Sequence, residues 1–321
     1  MLAVEALKQR LAALDTEALD GLFGRELRDP LTWTRTELET LLQVADQLEA
    51  LDRRLVRIPM LPDELAVAVF CGPEPTARWS WAGAAARLGM TPLLLGPEDL
   101  GPGLTRAGAL AAMNAHALGV CPPRGEGESV LLEELATGVT EYLRASFEAR
   151  AVPVISLGPV TRALGDAQAL REALGCGLQG LRMAVVWAGD PWRAVDLAGL
   201  VSLYQRLGMD VTLVSPHADA AREAQVARAD RLDALAGANA VLWLGGEAAG
   251  WTLDEARMGA TSDALLLHDL GEPVQGVAPE LLQRFRGAIA RQANKKTYVL
   301  MAAMALAKVK GLWHRLQELL D

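Results

Sequence analysis

Short apolar runs alternate with longer helical segments along the chain after Pro62, and this alternation constrains the fold more than any other feature. Eight runs have the length and bounding residues of buried strands, and they occupy positions 65–71, 92–95, 117–121, 152–156, 183–187, 211–214, 240–244 and 265–268. Segments with helical spacing lie between them, at 78–88, 128–147, 192–207, 218–235 and 279–287. This order predicts parallel sheets that are covered by helices on both faces.

The eight predicted strands divide into two sets of four, and 321 residues suffice for two domains of about 150 residues each. We therefore predict an α/β fold with two doubly wound parallel-sheet domains, at 1–150 and 151–321, joined by a hinge at 146–152. The last stretch, 294–320, is predicted to be a long helix that crosses back to the first domain. A (β/α)8 barrel is the alternative, and the long helical patterns at both ends of the chain count against it.

The start of the chain also has helical patterns. Leucines at helical spacing between positions 2 and 14, interrupted by charges, predict an amphipathic helix and not a signal peptide or a membrane span. Thr34 precedes Glu37 by three residues, which is the spacing of a capping box. We expect a helix from there to about Leu51.

Charge and cysteine usage exclude several classes of function. The net charge of −9 and the sequence pI of about 5.1 argue against a nucleic-acid partner. The three cysteines and four histidines are scattered, without metal-ligand spacing, so we expect no metal site and no disulfide framework. Reduced cysteines and the absence of a membrane span favour a cytoplasmic protein.

General cofactor motifs are absent, and we expect no cofactor. The chain lacks the phosphate-binding P-loop pattern. The stretch 188–192 follows a predicted strand but lacks the second glycine of a dinucleotide fingerprint, and the glycine-rich stretch 245–250 departs from that pattern. Both are read as ordinary β–α turns.

Several strings, taken in order, resemble the aspartate/ornithine carbamoyltransferase superfamily from about Leu27 to Leu320, and the ornithine branch is the nearer one. Those strings are LRDPLTWTRTELETLLQVADQLEA, AVAVFCGPEPTARWSWAGAAARLGMTPLLLG, VPVISLGPVTRALGDAQALREAL, LRMAVVWAGD followed by LGMDVTLVSP, LLLHDLG, and QANKKTYVLMAAMAL. The resemblance implies a phosphoryl group held at a helix N-terminus by backbone N–H groups, hydroxyls and arginines. It also implies an amine that attacks the carbamoyl carbon in a reaction governed by positioning and electrostatics.

The phosphate loop of that family, Ser-x-Arg-Thr-Arg, corresponds here to 74–78, and only Arg78 matches. Glu74 replaces the serine, Thr76 the first arginine and Ala77 the threonine, while Pro75 has no N–H to donate. Two like unit charges about 4 Å apart repel by roughly 4 kcal/mol at an effective dielectric near 20. Glu74 therefore opposes an anionic ligand at this position.

The other binding positions are also altered. The His-Pro-x-Gln string corresponds to 165–168, so its histidine is lost, Asp166 adds a negative charge and Gln168 remains. The string His-Cys-Leu-Pro corresponds to 268–271, which keeps His268 and is followed by Asp269. The asparagine pair of the second domain is replaced at 193–194, and the aspartate and Ser-Met-Gly motif is missing from 241–247. Lys295 stands where the family has an arginine, so a compact ammonium charge takes the place of a fork-shaped guanidinium.

The remaining side chains have a structural and a ligand-binding interpretation. Arg78 is expected to pair with Glu74 or Asp166 and alternatively to bind an anion. Gln168 is expected to be a capping or loop side chain. His268 either forms a buried hydrogen bond or lines a ligand site, and both interpretations fit the sequence equally well. Asp269 is either a solvated loop residue or a group that binds the amine of a ligand.

Three tryptophans lie near the predicted β–α turns where folds of this kind bind ligands. Trp79, Trp81 and Trp192 are hypothesised to fill the vacated pocket. Indoles that point to solvent would contradict this hypothesis.

We expect a carbamoyltransferase homologue that has lost carbamoyl phosphate transfer and serves a binding, regulatory or assembly role. No residue is assigned a catalytic role, and the remnant ligand-binding set in the interdomain cleft is Glu74, Thr76, Arg78, Gln168, His268 and Asp269. The resemblance also implies a homotrimer, a small-molecule or amino-acid ligand and an active paralogue as a partner. The alternative is a divergent transferase with an amino-acid substrate, in which Arg124, Arg193 or Lys295 is recruited to a rebuilt anion site.

Overall fold

The structure is a computed structural model, and it describes residues 4–72, 74–101, 103–123, 128–175, 177–189, 194–217, 225–246, 248, 250–268 and 275–320. The chain divides into two compact units. Unit 1 comprises residues 1–161 and 296–321, and unit 2 comprises residues 162–295. No helix in the described ranges is long and apolar enough to cross a membrane.

Unit 1 contains a four-stranded parallel sheet in the order β2-β1-β3-β4. The strands are β1 (Leu65–Phe70), β2 (Thr91–Leu95), β3 (Ala117–Cys121) and β4 (Val154–Ser156). Its helices, with α7 continuing into unit 2, are α1 (Val4–Ala12), α2 (Thr16–Gly21), α3 (Arg35–Asp52), α4 (Pro75–Arg87), α5 (Leu104–Asn114), α6 (Glu128–Ala145) and α7 (Pro159–Leu174). Short 3-10 turns occur at Pro30–Thr32 and Pro97–Leu100.

The predicted capping box at the start of α3 is confirmed. The Thr34 hydroxyl accepts a hydrogen bond from the Glu37 N–H at 3.2 Å, and the Glu37 carboxylate accepts one from the Thr34 N–H at 2.6 Å. Two donors at the helix end, which have no partner inside the helix, are satisfied in this way. The apolar face of α3 then packs into the core of unit 1 through Leu38, Leu41 and Leu48, which are fully buried.

Unit 2 contains a five-stranded parallel sheet in the order β7-β6-β5-β8-β9. The strands are β5 (Arg182–Ala188), β6 (Asp210–Val214), β7 (Ala227–Ala229), β8 (Ala240–Gly246) and β9 (Leu265–His268). The later helices of the chain are α8 (Ala194–Arg206), α9 (Glu255–Gly259), α10 (Pro279–Lys308) and α11 (Leu312–Glu318). Two separate parallel sheets confirm the doubly wound α/β prediction over the barrel alternative.

The units differ from the predicted division at 150/151. Because β4 pairs in parallel with β3, the sheet of unit 1 includes residues beyond the predicted hinge at 146–152. At the other end, α10 contributes residues 279–295 to unit 2 and residues 296–308 to unit 1. Tyr298 donates to Asp52 at 2.7 Å, and Lys308 pairs with Glu64 at 3.2 Å, both within unit 1.

The predicted helix at 218–235 is wrong over its described part. Residues 218–224 lie outside the described ranges, and the rest forms β7 and a 3-10 turn at Leu232–Leu235. Alanine and arginine favour a helix locally, but Arg228 donates hydrogen bonds to the carbonyl oxygens of Ser215 and Pro216 at 3.0 and 3.1 Å. These bonds hold the segment beside β6, and strand pairing overrides the local preference.

The two helical patterns predicted near the end of the chain, 279–287 and 294–320, form a different pair of helices. Both patterns join in α10, which runs without a break to Lys308. The chain then turns at Gly311, whose φ of 66° is in the left-handed region that favours glycine, and α11 begins at Leu312.

Candidate functional site

The positions that correspond to the family's phosphate loop lie at the carboxyl edge of the sheet of unit 1. The strand order reverses between β1 and β3, and ligands of doubly wound sheets bind at such a reversal. Helix α4 follows β1, with Glu74 as its N-cap residue and Pro75 as its first residue. The Glu74 side chain makes no capping hydrogen bond. A carboxylate and a proline thus occupy the helix end where this family's phosphate would bind.

Arg78, one turn into α4, stacks on a neighbouring aromatic ring. Its guanidinium carbon lies 4.5 Å from the centre of the Phe70 ring. Phe70 ends β1 and is buried, whereas Arg78 is half-buried. The contact that the structure assigns to Arg78 is therefore a cation–π contact and not the expected ion pair.

The hypothesis that tryptophans fill the vacated pocket is wrong for Trp79 and finds no support from Trp81. Trp79 is 81 % exposed, so its indole points to solvent. Trp81 is fully buried in the core of unit 1, where its Nε1 donates to the Ala66 carbonyl at 3.4 Å. A side chain at Gly119 of β3 would come within 2.9 Å of the Trp81 ring, so the indole fits because this position is a glycine. Trp192 lies outside the described residues.

Residues 165–168, which correspond to His-Pro-x-Gln, lie inside α7, well beyond its first turn. Asp166 and Gln168 are 2 % and 0 % exposed. Gln168 is therefore a buried side chain within a helix and not the expected capping or loop side chain, and the acid that sequence reasoning placed beside an anion site is part of a buried hydrogen-bond network in unit 2.

That network connects α7, α8, α10 and β9 within unit 2. Tyr204 donates its hydroxyl to one Asp166 oxygen at 2.5 Å, and Gln292 donates its Nε2 to the other at 2.6 Å. Arg162 approaches Asp166 at 3.8 Å. Burial, and then the neighbouring Asp166 charge and hydrogen bond, raise the pKa of Tyr204 well above its usual value of 10.0, so the phenol stays protonated and donates. These hydrogen bonds to both carboxylate oxygens offset the free-energy cost of burying the Asp166 side chain.

The same glutamine holds the end of β9. The Oε1 atom of Gln292 accepts from the His268 N–H at 3.0 Å. The His268 ring, 3 % exposed, places Nδ1 2.9 Å from the Trp243 carbonyl oxygen. A carbonyl only accepts, so Nδ1 carries the proton and Nε2 is left as an acceptor in the neutral ring. Within the described part of the chain, Nε2 is buried without a hydrogen-bond partner.

The basic side chains proposed for a rebuilt anion site do not assemble one among the described residues. Lys295 is 1 % exposed and pairs with Glu172 at 2.6 Å inside unit 2. Arg124 and Arg193 lie outside the described residues, as does Asp269. The described side chains also contain no group of three or more histidines, cysteines, aspartates or glutamates that could hold a metal ion.

Sequence reasoning placed Glu74, Thr76 and Arg78 together, and the structure brings these three to the start of α4. It missed Tyr204 and Gln292, which fix Asp166 and His268. The available signal was a tyrosine within the apolar stretch of α8 and a glutamine within α10. Neither pattern distinguishes a core hydrogen bond from an exposed polar face, because the partners are far away in sequence.

Comparison with known proteins supports the resemblance found in the sequence. The chain is 29 % identical over 202 residues to YgeW of Escherichia coli K12, a protein named only provisionally as a carbamoyltransferase. It is 31 % identical over 120 residues to the aspartate carbamoyltransferase catalytic subunit of Hyperthermus butylicus. These matches cover 58 % and 36 % of this chain, and 51 % and 38 % of the relatives. The chain thus spans about half the length of YgeW, and no family model matches it.

Solved structures show the same fold over more of the chain. The ornithine carbamoyltransferase of Pyrococcus furiosus superposes with a TM-score of 0.72 at 19 % identity, covering 89 % of this chain and 97 % of that one. An N-acetyl-L-ornithine transcarbamylase superposes with a TM-score of 0.70 at 21 % identity, covering 88 % and 99 %. The resemblance to the carbamoyltransferases is thus confirmed in sequence over part of the chain and in fold over most of it.

Proposed function

We propose that this chain, which is carbamoyltransferase-like in fold and sequence, is a ligand-binding protein that does not transfer a carbamoyl group from carbamoyl phosphate. The observation that carries the proposal is the start of α4, where Glu74 is the N-cap residue and Pro75 the first helical residue. Carbamoyltransferase chemistry requires a phosphate at such a helix end, and here a carboxylate stands there instead.

Two electrostatic effects act in the same direction. A helix N-terminus attracts an anion through its free N–H groups and its positive potential, and Pro75 removes one of those N–H groups. Glu74 adds a like charge, which at about 4 Å costs roughly 4 kcal/mol at an effective dielectric near 20. Since about 1.4 kcal/mol corresponds to a factor of ten, such a repulsion would weaken binding by roughly a thousandfold.

The fate of the carbamoyl-binding positions supports the same proposal. The histidine that would polarise the carbamoyl oxygen is absent, and Asp166 is a buried partner of Tyr204 and Gln292. Lys295 is neutralised by Glu172. Of the side chains considered for a rebuilt anion site, Lys295 is therefore already engaged in an ion pair.

Several finer expectations belong to this proposal. The ligand is a small molecule or an amino acid, and Glu74, Thr76 and Arg78 at the start of α4 are its proposed contacts, whereas the buried Gln168 and His268 are not and Asp269 lies outside the described residues. The resemblance favours a homotrimer and association with an active paralogue, and the composition favours a cytoplasmic location.

Calorimetric titration of carbamoyl phosphate into the purified protein tests the proposal. An active ornithine carbamoyltransferase is the positive control, and Glu74→Gln, which removes the charge but keeps the shape, is the matched variant. We expect no heat at millimolar ligand for the wild-type chain and no release of inorganic phosphate when ornithine or aspartate is added.

Micromolar binding by the wild-type chain, or phosphate release that depends on an amino acid, would overturn the proposal in favour of a divergent transferase. Binding gained only by Glu74→Gln would support it, because the charge at the helix end would then be the obstacle.

A further inference from the structure

Lys296 of α10 is a buried cation that forms no ion pair with any residue in the described ranges. The side chain belongs to unit 1 and is 9 % exposed. Its Nζ donates a hydrogen bond to the Leu157 carbonyl oxygen at 3.0 Å, which is the one polar contact that it makes within the described part of the chain. An ammonium group has three donors, so two remain for another acceptor, and a carbonyl does not neutralise the charge.

Other buried charged side chains of this protein have an opposite charge beside them. Lys295, the residue before Lys296, is 1 % exposed and pairs with Glu172 at 2.6 Å. Glu49 is 5 % exposed and pairs with Arg53 at 2.6 Å. A buried charge is costly unless an opposite charge and hydrogen bonds offset its lost hydration. The charge of Lys296 is therefore left to be offset by a group from outside the chain.

The ammonium group lies at the carboxyl edge of the sheet of unit 1, next to the start of α7. Leu157 directly follows β4, and its N–H donates to the Val120 carbonyl oxygen of β3 at 2.8 Å. Helix α7 begins two residues later, at Pro159. The N–H groups of a first helical turn have no partner inside the helix, and they attract anions. The positive potential of α7 therefore adds to the charge of Lys296.

The sum of these charges favours an anion with one negative charge. A helix end contributes about half a unit charge, so one carboxylate offsets most of the combined charge of the ammonium group and the helix. A divalent phosphate would leave excess negative charge in a chain whose net charge is already −9. The two oxygens of a carboxylate can accept from Lys296 and from backbone N–H groups together. We propose that Lys296 and the first turn of α7 bind the carboxylate of a small organic acid or amino acid.

This inference rests on the proposed function and deepens it, because it names the group by which the ligand is recognised. The proposed contacts at the start of α4 lie at the same carboxyl edge, after β1. Only β3 separates β1 from β4 in the sheet. Adjacent strands lie about 4.8 Å apart, so the ends of β1 and β4 are roughly 10 Å apart. A ligand of about this length would reach from Lys296 to the start of α4.

Ligand-observed NMR titration of the full chain with propionate tests the inference. Propionamide has nearly the same shape without the charge and is the matched ligand control. Inorganic phosphate tests the preference for a monovalent anion, and sodium chloride keeps the ionic strength equal in all titrations. We expect propionate to bind at millimolar concentration, propionamide not to bind, and phosphate to bind roughly tenfold more weakly than propionate or worse.

Lys296→Met removes the charge and keeps an unbranched side chain of similar length. It should weaken propionate binding roughly tenfold or more, and it should raise the melting temperature of the ligand-free protein because a buried charge without a counter-ion is gone. Lys295→Met is the matched control, since it breaks the ion pair with Glu172. That variant should lower the melting temperature and leave propionate binding unchanged. Circular dichroism verifies folding, and Lys296→Gln replaces Lys296→Met if the latter does not fold.

Three results would overturn the inference: no binding of propionate by the wild-type chain, equal binding of propionate and propionamide, or unchanged propionate binding in the folded Lys296 variant. Phosphate bound as tightly as propionate would overturn the assignment to a carboxylate. The proposed function fails by a different result, the binding of carbamoyl phosphate by the wild-type chain. The two failures are distinguishable, because the first inference is tested at Lys296 with propionate and the proposed function at Glu74 with carbamoyl phosphate.

Discussion

Tyr204 illustrates how one buried side chain can hold a charged partner in place. Its hydroxyl donates to Asp166, and both groups are buried in unit 2. Tyr204→Phe keeps the ring and removes the donor, which should destabilise the fold by about 1–3 kcal/mol because a buried acceptor loses a partner. Urea unfolding measures the effect, and Tyr142→Phe, at a half-buried position, should stay within about 0.5 kcal/mol. An unchanged midpoint for Tyr204→Phe would mean that the hydrogen bond from Tyr204 to Asp166 does not contribute to stability.

His116 makes the stability of unit 1 depend on pH. Its Nδ1 accepts the Leu65 N–H at 3.1 Å, so Nδ1 must be unprotonated. Burial lowers the pKa of His116 below its usual 6.5, against the opposing effect of Glu64. The folded state therefore binds a proton less readily than the unfolded state, and its stabilisation is full above pH 6.5 and is lost as the pH falls through the lowered pKa.

We expect His116→Gln to flatten the dependence of the unfolding free energy on pH below 6.5. Denaturant unfolding at a series of pH values measures it. His314→Gln, at an exposed position of α11, is the control and should leave the slope as in the wild type. Equal slopes in all three proteins would contradict the assignment to His116.

Two helices end in residues that are poorly suited to their backbone. Leu55 after α3 and Phe147 after α6 have φ values of 61° and 56°, and they are 90 % and 95 % exposed. Glycine or asparagine is favoured at such helix ends. Leu55→Gly and Phe147→Gly should therefore raise the melting temperature, by relief of strain of about 1 kcal/mol per site. Val130→Gly, in the first turn of α6, should lower it, and a decrease in all three variants would contradict the explanation.

The pair α5 and α6 packs with its backbones in close contact. A methyl group at Gly138 would lie 1.8 Å from the Thr105 carbonyl oxygen, and one at Gly108 would lie 2.0 Å from that of Leu135. Gly138→Ala should destabilise unit 1 by about 1–3 kcal/mol, the usual cost of overpacking. Gly199→Ala is the matched control, because it lies in α8 with nothing within 4 Å of the added methyl group. Chemical denaturation compares the two variants, and equal stabilities would show that the helices separate without cost.

Prediction of the elements from the sequence succeeded where a segment has one dominant pattern. The strands β1, β3, β5 and β8 are continuous apolar runs, and α3 has a capping box followed by a clear apolar face. Helix α5 was missed because its buried face consists of small residues, alanine and glycine, which pack by close backbone contact and are not a strong apolar signal in the sequence. The strand β7 was missed because its pairing with β6 depends on distant contacts of Arg228.

The candidate site was less predictable than the fold. The substitutions at 74–78 could be recognised from the sequence because they lie between a predicted strand and a predicted helix, where the family has its phosphate loop. The roles of Asp166 and His268 were not, since each is defined by partners far away in sequence, Tyr204 and Gln292. Burial of a polar side chain follows from tertiary contacts, which a single sequence does not specify.

In the molecule as a whole, a carbamoyltransferase-like fold occurs together with substitutions at the positions that correspond to that family's phosphate loop. A fold can be kept while the function changes, because the packing of strands and helices does not depend on the binding residues at the sheet edge. In this chain the sheets keep their parallel order while the anion-binding positions carry Glu74 and Pro75.

The division of α10 between the two units has a consequence for biosynthesis. Unit 1 is built from residues 1–161 together with residues 296–321, and Leu300, Met304 and Leu306 are fully buried or nearly so. A ribosome makes these residues after all of unit 2. Unit 1 therefore cannot close its core until residues 296–321 have been synthesised, and unit 2 is the first of the two units that can finish folding during synthesis.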